Sequence, residues 1–153
     1  MPALTAHGLL LAATAVGCGL IGGVFFAFST FIMKALARLP APQGIAAMQS
    51  INIVVINPLF LGALFGTGLL CIAVLITGGG IHRYAALTYL IGTIGVTMFG
   101  NVPLNNRLAA IDPQAESSVL IWDHYIERWT RWNHLRTAAA LAACAALLVG
   151  KVP

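Results

Sequence analysis

GLLLAATAVGCGLIGGVFFAFSTFIM, residues 8–33, is the stretch whose reading decides the fold class. No charged side chain interrupts it, and Lys34, the first Lys or Arg of the chain, stands immediately after it. As an α-helix the segment is roughly 39 Å long at 1.5 Å per residue, sufficient to cross a bilayer with tilt. It lacks the basic start of a signal peptide and outruns a signal's apolar region. It is therefore expected to stay in place as a first membrane span. Lys34 and Arg38 close it, and Pro40 and Pro42 break the helix in the loop beyond.

Three further segments repeat the pattern. The second runs from about Ile51 to Ile76, with Pro58 near its start, so its entry is either kinked or begins near Asn57. Thr77-Gly-Gly-Gly80 makes a tight connection to the third, about Tyr84 to Gly100, which Asn101-Val-Pro103 is expected to close. A polar connection follows, with a turn at Asp112-Pro113 and capping residues at Glu116, Ser117 and Ser118. From about Val119 to Trp132 an aromatic helix either continues or bends into the fourth segment, about Asn133 to Val149. The expected fold is an all-α membrane protein. It is a four-transmembrane-helix bundle forming a single domain over 1–153, with an interfacial aromatic helix before the last span.

Composition agrees. Hydrophobic residues make up 59% of the chain and charged residues 8%, against about 25% charged in soluble domains, and mean hydropathy is +0.92. A water-facing surface cannot be built from that inventory, so the bilayer itself is the first partner. The net charge of +4 is scattered just outside the apolar segments, which is membrane-protein usage rather than nucleic-acid binding. Lys34, Arg38, Arg107, Arg128 and Arg131 fall at the first and third loops, Arg83 and Lys151 at the opposite side. The positive-inside rule then places those loops in the cytoplasm and both termini outside; the chain is expected in the cell (inner) membrane. Cys18, Cys71 and Cys144 all lie in apolar stretches and read as free core thiols. No metal site is expected, because no Cys has a partner at ligand spacing and His124 and His134 are ten residues apart. The Gly19/Gly23 and Gly62/Gly66 pairs and the alanine-rich fourth segment read as close-packing faces, compatible with a homo-oligomer.

Four alternating crossings bring the polar residues to one end. Asn52, Asn57, Asn101, Asn105, Arg107, His124, Arg131, Asn133, His134 and Arg136 share one membrane face. Trp122, Tyr125, Trp129 and Trp132 recur at three- and four-residue steps and form one helical stripe. That stripe suits either an interfacial belt or a flat wall for a planar apolar ligand. Glu127 and Arg131 stand four apart as a surface pair. Arg131, His134 and Arg136 enter an apolar span, where ionisable groups point to a site. His134 is the first general-base candidate and His124 the second. Asn101 and Asn105 either cap the helix end at Pro103 or orient a carbonyl or oxyanion.

The segments Asn101-Val-Pro-Leu-Asn105 and Trp129-Thr-Arg-Trp-Asn-His-Leu-Arg136, with Gly22-Gly-Val-Phe-Phe-Ala-Phe-Ser29 and Asn52, carry a resemblance. The chain resembles the anthrone-oxygenase-like membrane family over most of its length. That resemblance implies oxidation of an anthrone to an anthraquinone by O₂ with no cofactor, neither metal nor flavin. It implies His134 as base, with Arg131, Arg136, Asn101 and Asn105 holding the enolate oxygen. Trp129, Trp132, Phe25, Phe26 and Phe28 would line the pocket for an apolar aromatic small molecule, with Asn52 and His124 completing the substrate-binding set. The competing expectation is a non-catalytic membrane protein that binds a lipid, a quinone or a partner helix.

Overall fold

The fold was read from a computed structural model, which describes residues 5–149; Lys151, used above in the charge count, lies outside them. Five helices run through the described residues. They are α1 (Ala6–Leu36), α2 (Ala41–Val54), α3 (Pro58–Thr77), α4 (Gly80–Ala109) and α5 (Ser118–Val149). All but α2 are long and apolar enough to cross a membrane. The protein is therefore an all-α membrane protein with four candidate spans.

Two boundaries decide between readings that the sequence left open, and the one at Pro103 differs from expectation. Residues 51–54 do not open the second span; they end the short helix α2. Asn57 then caps α3, its Oδ1 accepting from the backbone N–H of Leu59 at 3.1 Å and Phe60 at 3.0 Å, and Pro58 follows at the first helical position, where its missing N–H costs nothing. Pro103 does not close the third span. A π-helical segment, Thr97–Asn101, shifts the hydrogen-bond register just before it. Val102 and Pro103 thus start a new α segment within α4, a place proline tolerates. Last, the aromatic segment and the fourth span are one continuous helix, α5.

The aromatic stripe points inward. Trp122, Tyr125 and Trp129 are buried, packed against Met33 and Leu36 of α1, Ile45 and Met48 of α2 and Leu108 of α4. Only Trp132, 39% exposed, faces outward. Helix α2 and the last turns of α4 cover that stripe, which is why it is a core and not a lipid-facing belt. A second core of small and branched side chains, including Cys18, Ile21, Cys71, Tyr89 and Ala140, fills the other half of the bundle. Cys18 and Cys71 are buried, Cys144 is partly so, and all three are free.

Of the paired glycines only Gly19 makes a close approach, a Cβ there falling 3.3 Å from Cys144 Sγ. A Cβ at Gly23, Gly62 or Gly66 would meet open space. At Gly17 it would lie 2.1 Å from Thr67 Oγ1, and at Gly92 it would lie 2.5 Å from the Ala139 methyl. These two contacts set the α1–α3 and α4–α5 crossings. Gly17→Ala is expected to lower stability by ~1–3 kcal/mol, the usual cost of overpacking, with Thr67→Ala restoring part of it. Denaturation in detergent micelles measures both; an unchanged midpoint for Gly17→Ala would mean that the two helices part freely.

Candidate functional site

Hydroxyl side chains loosen the inner helices where the site forms. Thr30 Oγ1 donates to the Phe26 carbonyl and Thr97 Oγ1 to the Thr93 carbonyl, each at 2.7 Å and each four residues back. Such bonds compete with the backbone ladder. Both fall at π-helical segments, Phe28–Ile32 in α1 and the pair Leu90–Gly95 and Thr97–Asn101 in α4, a backbone form common at functional sites. The register shifts turn Phe28, Ser29, Thr93 and Thr97 toward α5.

Between these elements lies a cavity of about 700 Å³, to which all five helices contribute. Its wall is mostly apolar, from Phe25, Phe28, Phe60, Leu64, Met98 and Trp129 among others. Its polar groups are Gln49, Asn52, Thr97, Asn105, Asn106 and Arg136; among the described residues no Asp, Glu, His or Lys lines it. That is the usual make-up of a small-molecule site, an apolar pocket with few convergent polar groups.

Arg136 is the dominant charge. Its residue is 6% exposed. Nε donates to Asn133 Oδ1 at 2.8 Å and an Nη to Thr97 Oγ1 at 3.3 Å. The guanidinium carbon sits 3.9 Å from the Phe25 ring centroid and 4.9 Å from that of Trp129. Both rings offer their negative faces to the cation. The one ion pair among the described residues is Arg131–Glu127, so Arg136 has no carboxylate partner there. A guanidinium carries five N–H donors; those not taken by Asn133 and Thr97 are left for the cavity.

Asn133 holds this cation in place. It is fully buried, and its Nδ2 donates to the Phe25 carbonyl and to Ser29 Oγ, both at 2.7 Å. Ser29 Oγ lies 3.0 Å from Thr137 Oγ1, which itself donates to the Asn133 carbonyl at 2.7 Å. A closed polar network therefore ties α1 to α5 directly behind the guanidinium.

At the other end of the cavity Asn105 is clamped. Its Oδ1 accepts from Tyr125 Oη at 2.9 Å and from Trp129 Nε1 at 2.8 Å. Asn101 donates to the Trp129 carbonyl at 3.1 Å, and its Oδ1, buried, has no partner. Asn101 fastens α4 to α5 beside the cavity without lining it.

The expected site residues thus divide. Arg136, Asn105, Asn52, Trp129, Phe25 and Phe28 are brought together around one cavity. His134, Arg131 and Phe26 are exposed on the outer faces of their helices, and Arg131 is committed to the surface pair with Glu127. Trp132 lies over Gly100 on α4, outside the cavity. His124 borders a separate, smaller hollow with Arg107 and Leu120. His134 misses the cavity because Asn133 and Arg136, three apart, take the inward face of α5, and the next position after Asn133 points away. Sequence reading had passed over Gln49, Thr97, Ser29 and Asn133 as site residues. Their signal was present: polar side chains inside or beside apolar spans seek an interior. Among the described residues no three His, Cys, Asp or Glu side chains group as metal ligands.

No curated protein and no solved structure matches the chain. Residues 50–146 match the family model described as Anthrone oxygenase, a stretch that includes Asn52, Asn105, Trp129, Asn133 and Arg136, and the chain belongs to that anthrone oxygenase family.

Proposed function

We propose that this chain oxidises a planar aromatic ketone with an acidic ring CH₂, an anthrone-like substrate, to the corresponding quinone with O₂. One observation carries the reading: Arg136 is a buried guanidinium with no carboxylate partner among the described residues, facing an apolar cavity between two aromatic rings. A buried cation left uncompensated is costly, and an anionic form of the ligand would complete it. Loss of a ring CH₂ proton turns the ketone into an enolate. The enolate oxygen is where charge develops, and donors already aimed at that place stabilise it.

With no carboxylate or imidazole on the wall, the proton leaves to water at the cavity mouth. The protein's contribution is to make the substrate more acidic, not to supply a strong base. The electron-rich enolate then gives one electron to O₂, and the radical pair joins to form a C–O bond. The resulting peroxide anion takes back one proton from water, and the hydroperoxide then loses its second ring proton as the O–O bond breaks, that proton leaving with the departing hydroxide as water. The products are a ketone carbonyl and one water. Both oxygen atoms are accounted for, and the substrate supplies the electrons.

The reading is tested with detergent-purified protein, anthrone and O₂, following quinone absorbance. A rate above spontaneous oxidation is expected; none would overturn the reading for that substrate. His134→Ala is expected to keep the wild-type rate, since His134 faces outward. Loss of turnover in that variant, with folding intact, would move the base back to His134. Quinone binding without turnover would favour the non-catalytic reading. Lys34 at the end of α1, Arg38 just beyond it, Arg107 in the last turn of α4 and Arg128 and Arg131 in the first half of α5 support placing the polar end on the cytoplasmic side of the cell (inner) membrane.

A further inference from the structure

Two amides on the cavity wall have their orientation fixed by chemistry. Gln49 Nε2 donates to the carbonyls of Leu108 at 2.8 Å and Ile111 at 3.0 Å. Two carbonyl acceptors can be met only by the NH₂ end, so Gln49 cannot be flipped. Its Oε1 has no hydrogen-bond partner among the described residues, and Gln49 lines the cavity. Asn105 is the mirror case. Tyr125 Oη and Trp129 Nε1 both point hydrogens at its Oδ1, and the indole N–H can only donate. The oxygen must face them, which leaves the Nδ2 hydrogens over. Asn105 also lines the cavity. It lies one turn before Leu108, whose carbonyl holds Gln49. The cavity wall therefore offers a fixed acceptor on α2 and a fixed donor on α4.

We infer that Gln49 and Asn105 form a specificity pair that recognises a phenolic hydroxyl on the aromatic ligand, the hydroxyl donating to Gln49 Oε1 and accepting from Asn105 Nδ2. This inference rests on the reading of the cavity as an aromatic-ligand site. Among oxygen substituents a hydroxyl both donates and accepts through one atom, whereas a ring methyl or an ether oxygen leaves at least one amide unmet. The pair and Arg136 flank Trp129, whose ring lies 4.9 Å from the guanidinium carbon and whose Nε1 donates to Asn105 Oδ1. Arg136 holds the developing charge and the two amides read the substituent. The hydroxyl recognised is one free of an internal hydrogen bond to the ring ketone, because a hydroxyl already bonded within the ligand has no hydrogen to give.

Binding tests this without turnover. Full-length protein in detergent is titrated with 2-hydroxyanthraquinone and with its near-isostere 2-methylanthraquinone, below the pH at which the phenol ionises, and quenching of tryptophan fluorescence is read. Wild type is expected to bind the hydroxy compound about tenfold tighter or more. Equal affinities overturn the inference with no variant needed. Gln49→Met is expected to weaken the hydroxy compound to the level of the methyl one and to leave the methyl compound unchanged, which also shows that the cavity is folded. A retained preference overturns the assignment to Gln49. If Gln49→Met binds neither quinone, 2-methoxyanthraquinone titrated against wild type decides: its ether oxygen can accept from Asn105 but has no hydrogen for Gln49 Oε1, so affinity at the methyl level supports the pair and affinity at the hydroxy level overturns it. Selective binding without oxidation of anthrone would sink the oxygenase and leave the pair standing; oxidation without selectivity would do the reverse.

Discussion

Arg136→Met is expected to lower quinone formation by ~10²–10³-fold, the usual effect of removing one donor from a preorganised anion site. Methionine keeps the length and apolar contacts of the arginine stem while removing the charge. It also keeps a group that can pack between Phe25 and Trp129. Stability should fall far less than activity. The guanidinium has no carboxylate partner among the described residues, so its removal relieves desolvation, while the buried Asn133 Oδ1 loses its donor at a cost of ~1–3 kcal/mol. The thermal midpoint in detergent is therefore expected to shift modestly while turnover collapses. Arg136→Lys should recover a minor part of the rate, because an ammonium keeps charge but not the flat stack or the fixed Nε–Asn133 bond. A wild-type rate in Arg136→Met would remove the cation from the mechanism.

Asn133→Leu should have the largest effect on stability. The side chain is fully enclosed and serves three partners, the Phe25 carbonyl, Ser29 Oγ and Arg136 Nε. Leucine has nearly the same shape and none of the polar atoms. Each buried group left unmet costs ~1–3 kcal/mol, more where it is charged, so a loss of ~3–5 kcal/mol is expected. In a bilayer no water is at hand to repair the network. A midpoint within error of wild type would mean that the network is ornamental and that α1 and α5 are held by packing alone.

These two residues are adjacent parts of one device. Asn133 orients the guanidinium, and the guanidinium meets the ligand. Neither was equally visible beforehand. Arg136 stood out as a charge in an apolar span, whereas Asn133 was one polar residue in a crowd at the bundle end. The Asn101-Val-Pro-Leu-Asn105 motif was legible as a unit, but its two asparagines do different work: Asn101 fastens α4 to α5, and Asn105 lines the cavity. Pro103 misled as a helix end because the π-helical register before it makes room for a proline. The short helix α2 was missed because residues 51–56 are as apolar as the span that follows. That missed helix carries Gln49, which is why a specificity residue escaped notice.

Hydropathy by itself determined the class, the number of spans and the end of the bundle that carries the polar groups. Each of these depends on transfer energies that add residue by residue along the chain. Which polar residues meet was decided only by the tertiary structure. Successive helical side chains are about 100° apart, so a single position separates the cavity from the lipid. Along α5, Trp129, Asn133 and Arg136 face the cavity and its supporting network, while His134 and Arg131 face out. The rotation of each helix is set by contacts between helices, such as Gly17 against Thr67 and Gly92 against Ala139. No local feature of α5 records those contacts, and so the sequence could name the polar end of this protein but not the side chains that share its cavity.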